Sequence, residues 1–273
     1  MINKNDSLRI YRGQDIVITK GIVIKQPTLN DITDYGESEY WSMVQTMTST
    51  PQNLKWQLHE AHIDYTTLTP WQLFYQLIYN LFSKEETKII FGDLDFQKFN
   101  VRVLNKQEII EQQSELDNID DIKEKEKIEK IKPIVELYQI VDDSEIILDE
   151  ELYEYIMDII RQANFLIKDT KIPANNYTKK ILIEDAKEDY LIAQNKKSES
   201  LLKNMVSAMV NSEGFKYSHK QVWEMPINAF MDSVQRIQKI QNSKLLLTSG
   251  YSGFGINLQE VDKKQIDWLG ELS

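Results

Sequence analysis

TPWQLFYQLIYNLF, residues 69–82, is the stretch from which the rest of the chain is best read. A hydroxyl residue followed at once by proline marks a helix start. Thr69 can accept from the first free amide groups, and Pro70 suits the first helical position because its missing N–H would have no partner there. Trp71, Phe74, Leu77, Ile78, Leu81 and Phe82 then recur at helical spacing. A stripe that wide predicts a largely buried helix and the centre of an amino-terminal core.

The same signals recur on either side. Thr28 with Asp31, Thr50 with Pro51, and Ser83 with Glu86 predict further helix starts, the first and last as capping boxes. Upstream, LRIY (8–11), DIVIT (15–19) and GIVIK (21–25) are short β-branched runs punctuated by Gly13 and Gly21. They read as a small antiparallel ribbon, which Pro27 ends because it cannot donate to a ladder. Downstream, FGDLDFQKFNVRVL (91–104) turns extended, and IVELYQIV (134–141) and EIIL (145–148) read as strands. The charge-dense, aromatic-poor segment 105–132 between them reads as an excursion joining two strands of one sheet.

From Asp149 onward the periodicity is helical. Expected helices cover 151–163, 177–194 capped by Thr178, 198–214 ending at Gly214, and 226–247. A glycine-rich loop, TSGYSGFGIN (248–257), and a short helix capped by Asp262 and containing Trp268 close the chain. The fold class is therefore α+β and predominantly α-helical, a small amino-terminal β ribbon followed by a helical bundle. Three regions follow: 1–104, the charged insert 105–132, and 133–273, the first and last able to form one continuous domain.

Composition narrows the function. With 41% apolar and 27% charged residues over 273 positions, the chain is of globular type. The absence of cysteine excludes disulfides, thiolate metal sites and a cysteine nucleophile. Net charge is −2 over residues 1–104, −12 over 105–160 and +3 over 161–273. No concentrated basic face is left for a phosphate backbone, so nucleic acid is not expected as a partner. No apolar run approaches the ~20 residues of a membrane span, and MINKNDSLRI has no apolar signal region. A cytoplasmic protein is expected.

Three motifs approach known chemistry and fall short of it. LHEAH (58–62) carries His59 and His62 at i and i+3, where a zinc-protease helix needs i and i+4 with a glutamate between. Asp64, Asp93, Asp95 or His219 would have to complete a metal site, and the pair reads more simply as polar residues on the exposed face of helix 51–61. GDLD sets Asp93 and Asp95 on one side of an extended strand without the rest of a calcium loop. GYSGFG reverses the order of the dinucleotide fingerprint and lacks its helix. With no G-x-S-x-G elbow either, no catalytic, cofactor or metal residue is assigned and no enzymatic activity is expected. Met205, Met209, Phe230, Met231 and Val234 on amphipathic helices, with Tyr251 and Phe254 in the loop, are the expected partner contacts.

Several distributed stretches carry a family resemblance. They are GIVIKQPTLNDITDYGE–YWSMV (21–44), TSTPQNLKWQL with IDYTTL (48–68), and ETKIIFGDLDFQKF (86–99). NNYTKKILIEDA (175–186), NMVSAMVNSEGFKYSHKQVWEMPINAFMDSVQRIQ (204–238) and GYSGF with its following Trp (250–268) complete the set. Together they resemble virion-morphogenesis proteins of tailed phages of low-GC Gram-positive hosts, similar to tail assembly chaperones. The resemblance implies binding to tape-measure and tail-tube proteins in the host cytoplasm, with a place in the virion itself as the alternative. It leaves self-association open and brings no catalytic residues.

Overall fold

Three of the four expected helix starts carry reciprocal caps. Thr28 accepts from Asp31 N while Asp31 accepts from Thr28 N at 2.8 Å, opening α2 (Leu29–Tyr35). Thr69 with Gln72 does the same for α5 (Pro70–Leu73), and Ser83 with Glu86 for α6 (Lys84–Phe91). The fourth departs from expectation. Thr50 turns its hydroxyl to Asn53 and to the carbonyl of Asp169, so 51–54 forms only a turn before α4 (Lys55–Glu60).

The computed structural model describes residues 4–19, 21–104, 133–141, 144–195, 199–252, 255–270 and 272. The expected excursion at 105–132 and the candidate contact Phe254 lie outside them. Besides the helices above, the elements are α1 (Lys4–Tyr11), β1 (Ile16–Thr19), β2 (Ile22–Ile24), α3 (Glu37–Met47), β3 (Asn100–Leu104), β4 (Ile134–Val141) and β5 (Ser144–Leu148). Then come α7 (Glu150–Ala163), α8 (Asn176–Asn195), α9 (Leu201–Val210), α10 (Ile227–Tyr251) and α11 (Lys263–Ile266). The chain is α+β and mostly helical, as the periodicity indicated.

The strands form two small antiparallel sheets, β1–β2 and β3–β4–β5. Leu104 pairs with Ile134, so segment 105–133 joins the adjacent ends of neighbouring strands. Arg102 holds the solvent face of the larger sheet. It reaches Glu136 at 2.8 Å and Glu145 at 3.0 Å, and its guanidinium lies 4.8 Å from the ring centre of Tyr138.

An aromatic cluster fills the core. Tyr153 from α7 lies 5.3 Å from Trp71 and 4.6 Å from Phe74, and Phe96 meets both Phe74 and Phe91 edge-on. Offset and edge-to-face rings add specific attraction to a large buried area. The contiguous core runs from Ile10 to Phe230 and so includes side chains from both ends of the sequence.

The helix at 69–82 is shorter than its pattern suggested. After α5 the backbone widens into a π-helical turn, Phe74–Ile78. That extra residue per turn moves Leu77 and Leu81 out of phase with Phe74 and Ile78, leaving both leucines exposed.

LRIY is helical, not extended. Tyr155 OH bonds Asp6, Gln162 bonds Ser7, and Ile10 is fully buried. Positions 6, 7 and 10 share one face only on a helix, because a strand would send 6 and 7 to opposite sides. α1 ends in a Schellman turn, with Gln14 N bonding Arg9 O and Gly13 N bonding Ile10 O, both at 2.9 Å. Gly13 takes φ +67°, and Pro226 packs directly against it.

Four later boundaries also shift. α9 ends at Val210 and not at Gly214. α8 is capped by Asn175, which accepts from Thr178 N, and not by Thr178 itself. α10 continues through Gly250 to Tyr251, so the expected loop at 248–251 is helix. Asp262 caps α11 as expected, but that helix ends before Trp268. At its other end α10 is pinned by Ile227 N to Pro27 O at 2.9 Å and Leu29 N to Met225 O at 3.0 Å. Glu37 of α3 docks α9 by accepting from Leu202 N at 2.8 Å and Ser200 Oγ at 2.6 Å, a carboxylate at a helix amino-terminus.

Candidate interaction surfaces

The residues expected to meet a partner divide sharply. Met209 and Phe230 are core, Phe230 with no exposed surface at all. Met205, Met231 and Val234 are half-buried against that core. Tyr251 alone among the described ones is fully presented, at 81% exposure. The amphipathic stripe that suggested a docking face is thus largely the seam by which α9 and α10 join the body.

Other apolar groups are on the surface. Ile167 (93% exposed) and Ile172 lie on the irregular connection between α7 and α8. Among the described residues of the 20-residue α8 only Ile183 is buried, while Tyr177, Ile181, Leu191 and Ile192 face outward. Leu245, Trp268 and Leu269 are exposed where the distal half of α10 meets the terminal segment. Arg236 ties that segment down by donating to the carbonyls of Trp268 and Gly270 at 2.7 and 2.8 Å. A groove of about 870 Å³ runs beside it, between Gln235, Gln238, Asn242 and Leu245 of α10 and Gln265. The sequence offered one clue to these surfaces: their apolar residues stand where no single period accounts for them.

His59 and His62 do not share a helical face. α4 ends at Glu60, and His62 takes φ +59°. It is the left-handed residue of a Schellman turn, with Ile63 N bonding Leu58 O and His62 N bonding His59 O. A non-glycine residue there carries ~1–2 kcal/mol of steric cost, part of which glycine's greater unfolded-state freedom takes back. His62→Gly should therefore raise stability by up to about 1 kcal/mol in urea unfolding. A loss of stability would show that the imidazole contributes to the fold.

Both histidines line a groove of about 530 Å³ between α4 and α8. Asp64, on the same groove, is engaged by Lys179 and by the hydroxyl and amide of Thr66. Lys179 and then Thr66 hold its carboxyl down at about 2, below the ordinary 3.8. Because the folded value is the lower one, the stabilisation is complete above the unfolded value and disappears as pH falls through the folded one. The Thr66 amide resonance should titrate with a midpoint near 2, and Asp64→Asn should abolish that titration. A midpoint near 3.8 would mean that Lys179 does not hold Asp64. α8 is also held by Tyr190, whose ring lies 4.7 Å from that of Trp56.

The GDLD carboxylates are in use. Asp93 pairs with Lys84 at 3.0 Å, which lowers its pKa, and Asp95 caps Gln97 N and pairs with Lys98. Among the described residues no group of three or more histidine or carboxylate side chains is arranged to hold a metal ion. Among them, too, no helix is long and apolar enough to cross a membrane.

No curated protein and no solved structure matches the chain. Residues 194–272, from the last turn of α8 through α11, match the family model described as the YomV second domain, a phage-derived family. The carboxy-terminal part of this protein is therefore similar to a phage-associated domain.

Proposed function

We propose that the protein is a bacteriophage morphogenesis factor that works by binding other phage proteins and catalyses no reaction of its own. The observation that carries this reading is the likeness of residues 194–272 to a phage-derived domain. It is supported by outward-facing apolar side chains on α8 and on the distal half of α10, where a partner helix could lay its apolar face. The specific role proposed is that of a tail assembly chaperone. In it, the protein shields the apolar repeats of the tape-measure protein in the host cytoplasm and brings tail-tube subunits to it.

Co-expression with the tape-measure protein of the same phage tests the role. The expected result is that the tape measure moves from the insoluble to the soluble fraction and elutes together with this protein. Leu245→Asp with Leu269→Asp, exposed positions whose loss leaves the core intact, should reverse that effect. A tape measure that stays insoluble, or one rescued equally by the double variant, would refute the proposed surface and role.

A further inference from the structure

α8 has two apolar faces, and the body of the protein takes up one of them. Lys179, Ile183, Ala186 and Tyr190 recur at steps of four, three and four residues along the helix. This row looks onto the body. Lys179 reaches Asp64, Ile183 is buried, and the ring of Tyr190 lies 4.7 Å from that of Trp56 on α4. α4 is the element against which α8 chiefly packs.

The opposite row is Tyr177, Ile181, Glu184, Glu188 and Leu191, at steps of four, three, four and three residues. A mean step of about 3.5 residues is that of a coiled-coil seam, and it keeps the five side chains on one line of the helix. All five are exposed, Tyr177 at 75%, and the exposed Ile192 flanks the line. The seam is therefore apolar at both ends and carries two glutamates at its middle places. Neither glutamate has an ion-pair partner among the described residues.

We propose that this outward seam of α8 receives a helix of another protein whose apolar stripe carries lysine or arginine at its centre. The inference rests on the reading of the protein as a binder of other phage proteins, and it names the kind of helix that α8 takes. Tyr177, Ile181 and Leu191 call for apolar cover. A helix laid over them also draws water away from Glu184 and Glu188, which is costly unless a cation meets each carboxylate. Lysine or arginine supplies that cation and lays its aliphatic stem along the neighbouring apolar side chains. A second copy of the chain does not fit. In full overlap, parallel or antiparallel, its α8 would bring glutamate against glutamate. Polar residues at seam positions select partner and register in this way, at some cost in stability. The net charge of −11 adds a longer-range preference for a basic partner.

Two fluorescein-labelled amphipathic peptides, each about three heptads long with leucine at the seam positions, provide the test. One has lysine at its two central seam positions and the other has glutamate. Titrated with the full chain and followed by anisotropy, the lysine peptide should bind saturably and about tenfold or more tighter than the glutamate peptide. The gap should narrow as salt is raised. Glu184→Gln with Glu188→Gln, both on exposed residues, should close it. Ile181→Ser should weaken both peptides while leaving the urea midpoint in place, which separates loss of the seam from loss of the fold. Equal affinities, a preference that survives the glutamine pair, or no binding would overturn the assignment. So would a dimer in sedimentation that Ile181→Ser dissolves, which would give the seam to a second copy. Rescue of the tape measure without peptide selectivity sinks the α8 seam alone, and selectivity without rescue sinks the chaperone role alone.

Discussion

Phe230→Ala should destabilise the protein by about 3–5 kcal/mol, the range for removing a fully buried phenyl ring. Phe230 lies in the first turns of α10 with no solvent exposure. Those turns are clamped by the backbone bridge of Met225 and Ile227 to Pro27 and Leu29, and by Asn228 Nδ2 donating to the carbonyl of Gln162 at 2.8 Å. Local collapse cannot refill the space while the backbone is held on two sides. A urea transition displaced by that amount, seen alike by far-UV circular dichroism and tryptophan fluorescence, is the expected result. A shift below about 1 kcal/mol would mean that α10 only leans on the body. The consequence for function is direct. The proximal half of α10 is needed to build the fold, which leaves its distal half and α8 to meet partners.

Gly13→Ala should cost about 2–4 kcal/mol, from two causes that act together. The residue sits at φ +67°, where a side chain costs ~1–2 kcal/mol. A Cβ there would also come within 2.2 Å of Pro226 Cγ, and overpacking of this kind costs ~1–3 kcal/mol. Pro226 is the residue from which α10 departs, so the added methyl pushes on the junction that Phe230 secures. Gly214 is the control. It has φ +97° with no atom within 4 Å of a Cβ, so Gly214→Ala should show the backbone cost alone. Equal losses at the two glycines, measured by thermal and urea unfolding, would remove the packing argument.

The parts of the fold legible in the sequence are those set by neighbours three or four residues apart. The pairs Thr28–Asp31, Thr69–Gln72 and Ser83–Glu86 are local reciprocal bonds, and their side chains identify them without any tertiary knowledge. The strand pairing around the insert was legible for a similar reason, because only two apolar runs flank it. What could not be read depended on distant contacts. LRIY fits either period over four residues, and the choice rests on Tyr155 and Gln162 about 150 positions away. The π-helical turn that exposes Leu77 and Leu81 leaves the apolar spacing looking like an ordinary helix. The glycines of 248–257 read as a loop after a helix ending at 247, yet Leu258 packs where a side chain of Gly250 would be and the helix runs on to Tyr251.

The surfaces were less legible than the fold. An amphipathic stripe such as Phe230, Met231 and Val234 looks the same whether its complement lies in the same chain or in another. Here the chain covers most of that stripe itself. The exposed apolar residues that remain, Ile167, Ile172, Leu191 and Leu245 among them, form no repeating pattern. The histidines of LHEAH were set apart from a zinc-protease motif by their i, i+3 spacing and by the want of a third ligand beside them. Their real relation, one on the helix and one in its left-handed terminal turn, needed the backbone.

Quantitative mass spectrometry of purified phage particles beside the infected-cell lysate tests the central functional claim most directly. An assembly factor of the proposed kind is abundant in the lysate and present in particles only at trace level, far below one copy per tail. A fixed stoichiometric copy number in purified particles would contradict that account and make the protein a permanent part of the virion.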